Sequence, residues 1–484
     1  MLYPQNIEEK IGFLRIRELV SDKCLCTLGR QRVQEMQFSV ETADIARCLS
    51  ETDELMRILE VGDFPDCDFH DLRLPLKRIR MQNTFLEVEE LLQLRRSLST
   101  ISEVVSYLKK MGNDVYVYPR LAKKSEHVMV FPQVVVRIRG IIDDYGNVLD
   151  GASPDLVRIR REKSLCANRI SGLLNHILRQ AQTDGLVEKN VTPTLRDGRL
   201  VIPVAPALKR KIGGIVHDES DSGRTVYIEP TEVVEANNEI RKLENEERKE
   251  IIRILRELTS EIRPYADEML LSYEYLADID FIRAKALFSR SIGGVKPQQV
   301  QRPAIDWSQA VHPLLKLSFD KKNQRVVPLD IELKHPKGRI LLISGPNAGG
   351  KSVCLKTVGL LQYMFQCGMP VPVSESSVFG IFKSIFIDIG DEQSIDDDLS
   401  TYSSHLLNMK QMLRHCDATS LLLIDEFGGS TEPQIGGAIA EALLKRFNVK
   451  HAFGVITTHY QNLKHFAQET MGVVNGAMLY DRQL

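Results

Sequence analysis

Long apolar runs are missing from these 484 residues, and no stretch is long enough to cross a bilayer. The start, Met1-Leu2-Tyr3-Pro4-Gln5-Asn6, lacks the charged n-region and apolar core of a secretory leader. The expectation is a soluble, cytoplasmic protein with no membrane partner. The eight cysteines (Cys24, Cys26, Cys48, Cys67, Cys166, Cys354, Cys367, Cys416) form no C-x-x-C pair. In a chain of this size they read as reduced, packed thiols rather than disulfides or zinc ligands. Net charge is only −2, so nothing global announces a polyanionic partner, and any basic surface must be local. Internal repeats and low-complexity segments are also absent. What is there is a 43% hydrophobic share and a length beyond one domain, enough for about three packed units.

The most informative stretch is Gly345-Pro346-Asn347-Ala348-Gly349-Gly350-Lys351-Ser352. The apolar run Ile340–Ile343 precedes it, and Val353-Cys354-Leu355-Lys356-Thr357-Val358 carries it into a helix. Strand, glycine-rich turn and helix N-terminus together make a phosphate cradle. Backbone N–H groups and the helix dipole face the anion, Lys351 reaches the β/γ-phosphates, Val353 lies in the first helical turn, and Ser352 takes magnesium. The expected ligands are ATP and Mg2+.

A second apolar strand, Leu421–Ile424, ends in Asp425-Glu426. An aspartate there completes the magnesium shell, and a glutamate directly after it suits the orientation or deprotonation of an attacking water. A third strand, Ala452–Thr458, delivers His459 to the same sheet edge, where its imbidazole nitrogen is a hydrogen-bond donor for a γ-phosphate. The loop Gly428-Gly429-Ser430-Thr431 is shaped to pass near a neighbour. The serine-rich helix start Asp398–His405 offers Ser400 and Thr401 as donors at a second anion site. Because the cradle already serves one nucleotide, these two face a partner's ATP, which predicts a homodimer closed around nucleotide.

Earlier parts of the chain read as helices. Leu91, Leu94, Leu98, Ile101, Val105 and Leu108 make one apolar stripe, a core-packing pattern. Arg73, Lys77, Arg78 and Arg80 read as a solvated face. Between Leu156 and Lys211 there are twelve Lys/Arg against four Asp/Glu, a local excess of 12 − 4 = +8. Such an arm suits contact with a phosphate backbone, although a solvated basic helix has the same composition. Its scarcity of aromatics argues against base stacking. A helix over about 156–183, short strands over 200–228 and a long helix from Thr231 to Pro264 describe a lever with a head. His217 within that head reads as structural. The expected architecture is multidomain: a helical core (1–155), lever helices with a small β-sheet clamp (156–264), a helical return and linker (265–300), and an α/β P-loop ATPase domain (301–484).

Together these elements resemble the MutS family of ABC-type ATPases, most closely its second branch, the recombination-suppressor paralogues. The likeness runs from about residue 7 to the end. It is carried by Gly345–Leu360, Ile389-Gly390-Asp391-Glu392-Gln393-Ser394-Ile395, Leu399–His405, Thr457-Thr458-His459-Tyr460, and Gly214-Ile215-Val216-His217-Asp218 with Ile228-Glu229-Pro230. The resemblance implies an ATP hydrolase, a homodimer with two composite ATP sites, and clamps that embrace double-stranded or branched DNA to suppress recombination. It also implies that Ser400 and Thr401 act on the partner's nucleotide. The mismatch-reading N-terminal domain is expected to be absent, with Phe85-Leu86-Glu87 a coincidence. With the chain stopping at Leu484, the expectation is that the Smr nuclease module is missing and that nuclease activity is absent. The resemblance leads to the expectation that the dimer-supporting helices after the ATPase are cut short, and Ser430 stands where the family prefers glycine. The same branch implies an alternative partner, the ribosome and its RNA, with splitting of collided ribosomes as the activity. A nucleotide-gated scaffold with negligible turnover is the third reading.

Overall fold

The computed structural model describes all residues except 63, 66, 67, 113, 114, 186, 188–190, 197, 198, 210, 221, 222, 337, 346–349, 391–400, 430, 431 and 479–484. The chain divides into two compact units: residues 1–71, 103–128 and 272–484 form one, and 72–102 with 129–271 form the other. Helices and sheets are mixed across them, and no described helix is long and apolar enough to cross a membrane.

The first unit is built on a six-stranded, all-parallel sheet in the order Leu2–Tyr3, Ser384–Asp388, Ser420–Ile424, Phe453–Thr458, Gly338–Ser344, Gly472–Ala477. Ser420–Ile424 and Phe453–Thr458 are buried along their whole length, as central strands covered on both faces must be. The alternation read from residue 339 onward is present, with helices Lys351–Gln366, Thr401–His415 and Pro433–Val449 between the strands. Nothing in the sequence marks the edge strand. Leu2 and Tyr3 pair in parallel with Ile385 and Phe386, and the Met1 ammonium donates to the Lys383 carbonyl at 2.8 Å. Ile7, Ile11, Phe13 and Ile16 pack into the same core as Leu355, Val358 and Phe365. The N-terminal segment, read from sequence as part of a helical core, therefore shares a compact unit with the α/β alternation. A second, mixed sheet (Leu329–Leu333, Ile305–Ala310, Val378–Gly380, Gln298–Val300) adds Trp307, stacked on Phe379.

The second unit carries a helix over Pro154–Thr183 and a return helix over Thr231–Ile262. Ser153 caps the first, accepting from the Leu156 amide at 3.0 Å, with Pro154 at the position where a missing N–H costs nothing. The two run antiparallel: Ser153 reaches Glu250, Arg160 reaches Glu247 and the Cys166 thiol reaches the Ala236 carbonyl. Beyond them lies an antiparallel sheet ordered Thr194–Arg196, Arg199–Val204, Val226–Pro230, Gly214–Glu219. Ile170, Leu174 and Leu178 pack against Ile202, Val204, Val226 and Ile228. Gly214 is required, since a Cβ there would lie 2.2 Å from the Glu229 carbonyl oxygen. The stripe from Leu91 to Leu108 is buried, and Phe85-Leu86-Glu87 precedes its helix, Val88–Leu108.

Candidate nucleotide site

Strand Gly338–Ser344 ends at Gly345, whose φ of +148° turns the chain out of the sheet. The next helix starts after Gly350 at φ +81°, a left-handed conformation that favours glycine. Among the described residues no side chain caps this helix, and the first amides of such a start suit an anion. Lys351 is buried, and its ammonium donates to the Gly345 carbonyl at 2.5 Å while lying 3.4 Å from His459 Nε2. Burial pulls that ammonium below the ordinary lysine range, against the opposing pull of Asp425 and Glu426. Ser352 and Val353 follow on the exposed side of the first turn.

Asp425 and Glu426 continue strand Ser420–Ile424 at the same edge of the sheet. Asp425 is oriented twice: its amide donates to the Asp388 carbonyl at 2.8 Å, and its Oδ1 accepts from the Thr457 hydroxyl at 2.5 Å. The Thr457 oxygen also accepts from the Glu426 amide at 2.8 Å. Glu426 has φ +47°, a conformation that a side chain with Cβ adopts at some cost. The turn is held by the Phe427 amide on the Thr457 carbonyl and by the Tyr460 hydroxyl on the Gly428 carbonyl, each at 2.8 Å. Both carboxylate residues and His459 thus hang on the end of strand Phe453–Thr458.

Gly345, Gly350, Lys351 and His459 come together, with the charges of Asp425 and Glu426 felt at Lys351. Pro346, Asn347, Ala348, Gly349, Ser400 and Ser430 lie outside the described residues. Thr401 opens the helix Thr401–His415. Helix-start amides, a buried ammonium and an imidazole fit a phosphate, and the oxygen donors Ser352 and Asp425 fit a hard divalent cation. Thr457 and Asp388 were missed as positioning groups. Asp388 had one signal: it ends an apolar strand in register with Ile424, as Asp425 ends the neighbouring one.

In the second unit, the basic segment is partly neutralised. Arg158 pairs with Glu162, Arg160 and Lys163 pair with Glu247, and Arg199 is spent on buried Glu229. Glu229 also takes His217 Nε2 at 2.5 Å and the Asn237 amide at 2.6 Å, a structural role for that histidine. Arg161, Arg169 and Arg179 on the Pro154–Thr183 helix stay exposed.

Residues 341–483 match the family described as MutS domain V. The chain is 37% identical over 474 residues to endonuclease MutS2 of Geobacillus sp. (strain WCH70), covering 98% of this chain and 59% of that protein. Over 478 residues it is 36% identical to endonuclease MutS2 of Enterococcus faecalis, covering 99% of this chain and 59% of the relative. The putative endonuclease MutS2 of Bacillus subtilis is 34% identical over 478 residues, 99% of this chain and 60% of its own length. The chain thus spans about three fifths of the length of the curated relatives it matches.

Proposed function

With relatives named endonuclease MutS2 covering nearly the whole chain and supporting the MutS2 branch, we propose that this protein is a MutS-type ATP hydrolase acting on DNA. The observation that carries the reading is the buried Lys351 ammonium, 3.4 Å from His459, at the start of a helix beside Asp425 and Glu426. In this reading Gly345 to Val353 cradle the phosphates, Lys351 and His459 bind the terminal phosphate, and Ser352 and Asp425 hold magnesium. Magnesium supplies charge neutralisation on the phosphate oxygens. Glu426 orients and deprotonates the attacking water, its backbone fixed by Thr457.

The reading extends to a homodimer in which Ser400 and Thr401 meet the partner's nucleotide, and to a clamp over 156–264 that embraces duplex or branched DNA and suppresses recombination. Its support is the exposed Arg161, Arg169 and Arg179 and the lever-and-head layout of their unit. Contacts of this kind follow the backbone and carry no sequence readout. The test is phosphate release together with branched-DNA binding at two salt concentrations. Loss of release in Lys351→Ala, and DNA binding that weakens steeply with salt and differs between ADP and ATP, support it. Nucleotide-independent, salt-insensitive binding overturns the DNA half, and co-sedimentation with stalled ribosomes instead of DNA favours the ribosome alternative. Strand cleavage, which the relatives' names carry, is read in the same reactions.

A further inference from the structure

Asp388 ends strand Ser384–Asp388 one residue short of the register of Asp425, whose amide its carbonyl accepts. Its side chain is buried, 2% exposed, and both carboxylate oxygens are taken by a single helix. Oδ2 lies 2.7 Å from His405 Nδ1, and Oδ1 accepts from the Asn408 amide at 2.9 Å. His405 and Asn408 are three apart, on one face of the Thr401–His415 helix, within its first two turns. Since an ionised carboxylate only accepts, His405 Nδ1 carries the proton of this bond. Asn408 Oδ1 accepts in turn from the Tyr3 hydroxyl at 2.6 Å, which ties the pair to the edge strand.

Packing alone does not call for this carboxylate. Met409 and Met412 of the same helix already bury against the sheet with Phe386 and Leu422. A buried ion is costly unless well partnered, and such groups are kept where they fix a geometry. This carboxylate fixes two: its backbone holds Asp425, and its side chain holds the first turns of the helix. His405 and Asp388 also line one cavity with Asp425 and Glu426.

We infer that Asp388 and His405 form a positioning link that locks the start of the Thr401–His415 helix to the strand end bearing Asp425 and Glu426. The inference rests on the ATP-site reading and deepens it: contact of that helix start with a partner subunit's phosphate is transmitted to the water-activating carboxylates. Neither residue touches nucleotide.

The test uses the full chain with His405→Ala, His405→Gln, Asp388→Asn, the Ala/Asn double variant and Lys351→Ala. Affinity is read with a fluorescent ATP analogue, and turnover by phosphate release. The expected result is a fall in kcat of about tenfold in His405→Ala with ATP affinity within twofold of the parent, the signature of a transition-state rather than a ground-state effect. The double variant falls no further than the worse single, because the two residues act as one unit. His405→Gln keeps an N–H donor and recovers several-fold of the lost rate. Equal turnover in His405→Ala and His405→Gln, or parallel losses of affinity and kcat, overturns the link. Full hydrolysis by Lys351→Ala overturns the ATP-site reading and the link with it. An inactive Lys351→Ala beside a fully active His405→Ala overturns the link alone.

Discussion

The Tyr363 hydroxyl donates to Glu8 Oε1 at 2.6 Å across 355 positions of sequence. Glu8 also takes Arg17 in a two-pronged pair at 2.7 and 2.8 Å, and Arg17 caps the carbonyls of Val33 and Met36 at 2.6 Å each. This cluster fastens the N-terminal segment to the helix that follows the phosphate turn.

Removing one part of the cluster is expected to loosen that attachment. Tyr363→Phe deletes one bond to a charged acceptor and should cost about 1–2 kcal/mol. Arg17→Ala strands Glu8 and two carbonyls and should cost about 3 kcal/mol. Burial raises the Glu8 pKa, but the Arg17 and Tyr363 hydrogen bonds and the Arg17 charge together hold it below the ordinary carboxylate range. A lowered folded pKa means the contribution is present above the unfolded value, about 4.3, and is lost as pH falls through the folded one. Urea melts at pH 7 and pH 3 check both points: the Arg17→Ala penalty should shrink at the lower pH.

Glu229 is fully buried among Arg199, His217 and Asn237. Burial raises its pKa, yet the hydrogen bonds from Asn237, His217 and Arg199 and the Arg199 charge hold it below the usual range. The sheet over 194–230 should therefore keep its full stability above about pH 4.3 and lose this contribution in stronger acid. Glu229→Ala leaves Arg199 uncompensated and should cost about 3–5 kcal/mol locally. Hydrogen exchange of the Val226–Pro230 amides reads both effects; unchanged protection would contradict the assignment.

Glu426 pairs the water-activating role proposed for it with an unfavourable backbone. Glu426→Gly relieves the positive φ and should raise stability by about 0.5–1 kcal/mol while lowering hydrolysis at least about 100-fold. Glu426→Gln keeps the strain and should lower hydrolysis alone. Thermal melts beside phosphate release separate the two variants.

Arg161, Arg169 and Arg179 should each account for about 0.9 of the slope of log affinity against log salt on duplex DNA. Replacing all three by Ala is expected to flatten that slope by about 2–3 without changing ATP hydrolysis in the absence of DNA. Arg160, already paired with Glu247, should contribute little.

The strand–turn–helix at Gly345–Ser352 and the carboxylates after Ile424 were legible because each is a local pattern, an apolar run followed at fixed spacing by the groups that need its edge. The stripe from Leu91 to Leu108 was legible for the same reason: periodicity is a property of neighbouring residues. The charge of the 156–211 segment overstates its exposed cation, since the neutralising acids Glu247 and Glu229 lie outside it. Leu2–Tyr3 offered nothing to read, because two residues carry no period and become a strand only when Ile385 and Phe386 present an open edge.

Sequence by itself determined the strand that ends before Gly345, the helix that opens at Lys351, the acidic pair after Ile424 and the alternation of strands and helices, all of which follow from backbone geometry over a few residues. Tertiary structure alone decided that Thr457 binds both the Asp425 carboxylate and the Glu426 amide, that Asp388 and His405 meet, and that Glu8 reaches Tyr363. Those contacts join residues 17 to 355 positions apart, and no spacing rule links side chains that meet only after the sheet has assembled.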